Sequence, residues 1–152
     1  MLYLPNCAIA RYGVNPEIPD NNLVLISTLN IKIVAINKSN VEGMSYSFYI
    51  IPGKNEFEVV YTNGRIYSKA SKSVSFEAKE GETVFVCGLT SFNRGNVDFN
   101  MNGDWLVFPV ITKGFNLQNY EVGIGHDYDR IFKEYCIPEA DAKNYWEQFK
   151  GQ

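Results

Sequence analysis

Residues 46–62 read Tyr46-Ser47-Phe48-Tyr49-Ile50-Ile51-Pro52-Gly53-Lys54-Asn55-Glu56-Phe57-Glu58-Val59-Val60-Tyr61-Thr62. Two short β-rich runs flank one turn. Pro52 holds φ near −65° at the first central turn position and Gly53 accepts φ > 0 at the second, which predicts a type II turn. Beyond it Phe57, Val59 and Tyr61 share one strand face while Glu56 and Glu58 share the other, a period of two that no helix can use. Asn63-Gly64 follows, the pair that best suits a type I′ hairpin because both central residues need φ > 0. Arg65 to Ser68 is its return strand.

The same grammar extends outward. Upstream, Leu23 to Thr28 reads as a strand. Ile31, Ile33 and Ala35 then alternate with Lys32, Val34 and Ile36, so this strand should be covered on both sides or paired centrally. Asn37 to Gly43 is polar and reads as a turn. Downstream, Val74, Phe76 and Ala78 alternate with Ser73, Ser75, Glu77 and Lys79, and Glu80-Gly81-Glu82 turns the chain into Thr83 to Leu89. A loop around Asn93 to Asn96 leads to Val97 to Met101. Asn102-Gly103 then leads to Trp105 to Ile111, where Pro109 points to a sheet edge. The expectation is a mainly β protein, an antiparallel β-sandwich of about eight strands.

The C-terminal part changes period. Asp127 can cap a helix in which Tyr128, Ile131, Phe132 and Tyr135 fall at i, i+3, i+4 and i+7. Pro138 suits the first position of a second helix, with Ala142, Tyr145, Trp146 and Phe149 along one side. One or two helices should therefore pack on the sandwich. With 152 residues, the chain reads as a single domain, residues 1–152, with the sandwich over about 23–112 and the helical extension over about 127–150.

Composition narrows function by exclusion. Fourteen Lys and Arg against 17 Asp and Glu leave a net charge of −3, unlike the basic footprint of a nucleic-acid binder. No apolar run approaches the roughly 20 residues of a spanning helix, so no transmembrane span is expected. The three cysteines, Cys7, Cys87 and Cys136, form no C-x-x-C, which argues against zinc-ribbon and thioredoxin-like sites. Cys87 lies in the apolar run Thr83 to Leu89 and reads as a small buried hydrophobe. A reactive thiol is the alternative at Cys87; separately, one disulfide, Cys87 to Cys136, is open and depends on whether the two Cα atoms come within reach.

The single histidine, His126, sits in Gly125-His126-Asp127-Tyr128-Asp129. An imidazole beside carboxylates could act as a general base in a hydrolase, yet a helix start uses the same acids to cap and to complement the helix dipole. Asn100-Met101-Asn102-Gly103-Asp104 alternates oxygen ligands as calcium loops do, but its glycine is misplaced and no Glu follows at the twelfth position. Gly123-Ile124-Gly125 lacks the third glycine and the βαβ setting of a dinucleotide loop. No cofactor and no metal are expected. The chain also holds ten Tyr, ten Phe and two Trp. Tyr46, Tyr49, Tyr67, Trp105, Tyr120 and Trp146 are candidates for stacking on a sugar or peptide, with Trp105 and Tyr120 foremost.

The segment from Ile31 to Val86, with Ile50-Ile51-Pro52-Gly53-Lys54-Asn55-Glu56-Phe57 and Ala78-Lys79-Glu80-Gly81-Glu82-Thr83-Val84, resembles a group of small bacterial envelope domains of unknown function. Asn55 stands where those domains usually carry histidine, and Val84 where they carry tyrosine. Leu4, three residues before Cys7, with Ala8 after it, resembles the end of a lipoprotein signal, although Asn6 departs from the small residue expected there. The resemblance implies a cell-envelope or periplasmic protein with Cys7 as a candidate lipid attachment site, and a protein or glycan of the envelope as partner. It carries no catalytic residue. The leading expectation is thus a non-enzymatic envelope sandwich with a structural or partner-recognition role. A carbohydrate- or peptide-binding module comes next, and a hydrolase centred on His126 third; a cytoplasmic location is the alternative to the envelope.

Overall fold

The computed structural model describes residues 9–41, 46–63, 67–90, 105–120 and 127–142. The chain forms β1 (Ala10–Arg11), β2 (Val24–Leu29), β3 (Ile31–Ile36), β4 (Ser39–Asn40), β5 (Ser47–Ile50), β6 (Gly53–Tyr61), β7 (Lys72–Ala78), β8 (Glu82–Thr90) and β9 (Trp105–Lys113). One sheet runs β1-β5-β2-β8-β9 and the other β4-β3-β6-β7. Two packed sheets make the expected sandwich. Its pairing is mixed, because β1–β5 and the central β2–β8 are parallel.

That mixture follows from how the chain changes sheets. Asn30, at φ 62°, is the only residue between β2 and β3, and it carries the chain from one sheet to the other. Gly53 has φ 122° as the Pro-Gly turn requires, but the turn joins β5 in the first sheet to β6 in the second. The turn at Gly81 (φ 81°) likewise sends β7 across to β8. Turns read locally as reversals are thus the crossovers that build the sandwich.

The four-stranded sheet is buried on one face only. Phe57 and Val59 are fully buried and Tyr61, Val74, Phe76 and Ala78 nearly so, whereas Glu56, Glu58, Ser73, Ser75 and Glu77 are exposed. In β3 the register shifts between Ile33 and Ala35. This bulge moves the inward set from Ile31 and Ile33 to Ile36, all three in the inter-sheet core with Val24, Ile26, Phe48, Phe57 and Val86. β3 is accordingly paired on both edges, between β4 and β6, rather than covered on both faces.

The five-stranded sheet is covered twice. β2 is buried at every position and β8 at all but Glu82. Near-continuous apolar runs of this kind are the pattern of strands with both faces covered. On its outer face Leu29, Phe85, Cys87, Leu89 and Phe108 form a second core with Ile131, Phe132 and Cys136. The helix face expected from Tyr128, Ile131, Phe132 and Tyr135 is the one that docks. β9 lies at the sheet edge, with Pro109 opposite Val86.

Instead of two separate helices, one helical segment runs through α1 (Tyr128–Ile131), a π-helical turn (Phe132–Cys136) and α2 (Ile137–Ala142). The Ile137 N–H bonds to the Phe132 carbonyl five residues back. This widened turn lies just before Pro138, which has no N–H and whose ring would press on the carbonyl of Glu134 in a regular helix. Pro138 is thereby absorbed rather than starting a new helix. Asp127 precedes α1, but no side-chain hydrogen bond caps the turn; its carboxylate lies 3.9 Å from Arg130 instead.

Thr62 and Tyr67 form an isolated antiparallel bridge where the return strand Arg65 to Ser68 is expected, and Gly64 to Ile66 within it lie outside the described residues. So do Cys7, the Asn93 to Asp104 segment with its strand, hairpin and oxygen-rich stretch, Gly123 to His126, and Tyr145, Trp146 and Phe149.

Candidate functional site

Trp105 opens β9 facing inward and is fully buried. Its ring lies 6.2 Å from that of Tyr61. The Lys72 ammonium sits 5.1 Å above it and donates to the Trp105 carbonyl at 2.6 Å. Burial pushes the pKa of Lys72 down. Trp105 is therefore a core residue rather than a stacking surface. Trp105 closes the gap between the edge strands β7 and β9 and offers no face to a ligand.

Tyr120 is held in place as well. Its ring stacks on Phe115 at 5.1 Å and the Arg130 guanidinium lies 4.4 Å from its centre. The hydroxyl donates to Glu134 at 3.0 Å. Burial, then hydrogen bonds with Tyr135 and Glu134, push its pKa up to about 12. Its contacts fasten the short 3₁₀ turn Leu117–Asn119 onto the helix. Of the other aromatic candidates, Tyr46 is 65% exposed and Tyr67 57% exposed, and Tyr46 pairs with Tyr128 at 5.3 Å.

Cys87 and Cys136 are joined by a disulfide, with Cα atoms 5.8 Å apart. Both are fully buried. The bridge ties the centre of β8 to the π turn within the second core. Cys87 is therefore a buried core residue, as read from its apolar run, and also one half of the bridge that the spacing leaves open.

A groove of about 560 Å³ lies at one end of the four-stranded sheet, lined by Asn37, Lys38, Lys54, Glu56, Phe76 and Glu77 among others. Its rim is built by the two-residue turn between β3 and β4, where Asn37 has φ 49° and Lys38 φ 69°, with Ile36 opposite Ser39. Asn37 clamps this turn to β6. Its N–H donates to the Glu56 carbonyl and its side-chain oxygen accepts from the Glu56 N–H, both at 2.8 Å. Its amide nitrogen donates to Asn55 at 3.0 Å.

Lys54 stands directly opposite Glu77 in the register, and Glu56 opposite Ser75. Among the described residues, the side chains of Lys38, Lys54, Glu56 and Glu77 have no hydrogen-bond or ion-pair partner. Sequence reading missed this groove. Its residues looked like ordinary turn and surface positions, and only the crossing of the β3–β4 turn over β6 brings them together.

Among the described residues no group of three or more His, Cys, Asp or Glu is placed to hold a metal ion, and no helix is long and apolar enough to cross a membrane. Fold and site together define a two-sheet β protein with a disulfide-fastened helical layer. No protein-family model, curated protein or solved structure matches the chain.

Proposed function

We propose that this protein is a non-enzymatic β-sandwich of the bacterial cell envelope that recognises another envelope component, with Cys7 as a candidate lipid attachment site. The observation that carries the reading is the buried Cys87–Cys136 disulfide. Structural disulfides persist in exported proteins and are rare in a reducing cytosol. A rigid three-layer scaffold with one uncovered, charged sheet face suits recognition. The partial lipoprotein-like match around Cys7 fits the same compartment.

The test is the thiol state of the protein in its own cells, together with its fractionation. Acid quenching of the cells followed by alkylation under denaturing conditions should leave Cys87 and Cys136 unlabelled, with the protein from unquenched cells in the envelope fraction. A labelled fatty acid should attach, and Cys7→Ser should abolish attachment. Free Cys87 and Cys136 thiols in a cytosolic fraction would sink the compartment reading. An oxidised envelope protein that never takes up lipid would remove only the anchor.

A further inference from the structure

Two features of the groove at the β3–β4 turn point to a ligand. The first is its backbone. A two-residue turn with φ > 0 at both positions favours Asn at the first and Gly at the second. Asn37 meets that preference, but the second position is Lys38 at φ 69°, a conformation that side chains with a Cβ disfavour. Glycine would be more stable there, and the lysine in its place is one of the residues that line the groove. Strain held at a non-glycine residue beside a cavity is a pointer to function.

The second feature is its charge. Two lysines, Lys38 and Lys54, and two glutamates, Glu56 and Glu77, line the groove, and none has a side-chain partner among the described residues although Lys54 and Glu77 are cross-strand neighbours. A phosphate or an anionic surface would meet the two glutamates. A lone cation would meet the two lysines. An uncharged sugar would cover four charges without pairing any of them. Only a ligand with both signs matches. The volume falls within the roughly 300–1,000 Å³ of ligand sites.

We propose that the groove formed by the Asn37-Lys38 turn, β6 and β7 binds a short peptide segment carrying an ammonium and a carboxylate. Lys38 and Lys54 hold the carboxylate, and Glu56 and Glu77 hold the ammonium. The Asn37–Asn55–Glu56 hydrogen bonds keep the rim in place before the ligand arrives. This inference rests on the partner-recognition reading above, but not on the compartment.

The experiment uses the purified, oxidised full chain and follows backbone amide shifts by NMR as end-blocked Lys-Ala-Glu tripeptide is added. End-blocked Lys-Ala-Lys and Glu-Ala-Glu serve as single-sign controls. Saturating shifts are expected at Asn37, Lys38, Asn55 and Glu56, with a Kd on the order of 1 mM for so small a probe. Added salt should weaken them. Lys38→Gly should raise Tm by relieving the turn, and at the same time weaken binding by roughly two- to fivefold, the range of one exposed ion pair. No saturation by about 10 mM tripeptide, a Kd above any working range, would overturn the proposal. So would equal binding of the single-sign peptides, or a Lys38→Gly variant that gains stability and binds as before. Such a failure leaves the compartment reading standing, and free cytosolic thiols would leave the groove standing.

Discussion

Gly88 lies in β8 where an added Cβ would come within 2.7 Å of both the Asn30 carbonyl oxygen and the Ile31 side chain. The Asn30 corner is pressed against β8 there. The Thr62 N–H also donates to the Asn30 carbonyl at 3.0 Å, so the oxygen is not free to move aside. Gly88→Ala should therefore lower stability by about 1–3 kcal/mol, as overpacking does, read as a lower urea midpoint with unchanged slope. A loss under about 0.5 kcal/mol, the usual range for a surface change, would show that the corner does not pack as described. Neither the need for glycine here nor the left-handed Asn30 was legible beforehand. A glycine inside the apolar run Thr83 to Leu89 has no turn to announce, and the close approach comes from residues about 58 positions away in sequence.

At the scale of elements, patterns of period two were read well wherever one face meets water. Val74, Phe76 and Ala78 turn inward as their alternation predicts. The helix face of Tyr128, Ile131, Phe132 and Tyr135 docks because its 3.6 period survives the π turn well enough to keep one side on the sheet. What failed was punctuation. Pro138 looked like a start because its missing N–H suits a first turn, yet a widened turn accommodates it equally well.

The contact between the Leu117–Asn119 turn and the helix has its own test. Tyr120 keeps its proton up to about 12, against an ordinary 10.0. Below pH 10 both folded and unfolded chains hold that proton, and the stabilisation is fully present. Between pH 10 and 12 the unfolded chain releases it first, so stability falls as pH rises through this window. Wild type should exceed Tyr120→Phe in stability at pH 9, and the gap should shrink by pH 11.5. Comparing the two proteins cancels the other tyrosines whose pKa burial also raises, Tyr49, Tyr61 and Tyr128. A gap that stays constant with pH would mean that the hydroxyl is not engaged with Glu134 and Tyr135.

For the whole molecule, the disulfide closes a loop of 49 residues, which restricts the unfolded chain by up to about 4 kcal/mol. The Cys87→Ala, Cys136→Ala double variant should melt roughly 10 °C lower than wild type. It should still fold, since Ile131 and Phe132 keep the helix on the sheet. A melting temperature unchanged within a degree or two would mean the bridge is absent from the native protein. Hydrophobic period and turn residues are local quantities, so a mainly β protein with a helical C-terminal part was legible along the chain. Cys87 and Cys136 were also legible as a possible pair, but whether they bond depended on a Cα separation that no local pattern gives. That the turns are crossovers, that β2 and β8 lie parallel, that Trp105 is buried beside Lys72, and that Lys38, Lys54, Glu56 and Glu77 line one groove emerges only once the chain is folded. Each of these depends on which sheet a strand joins, and that choice is set by burial summed over distant residues rather than by the neighbours along the chain.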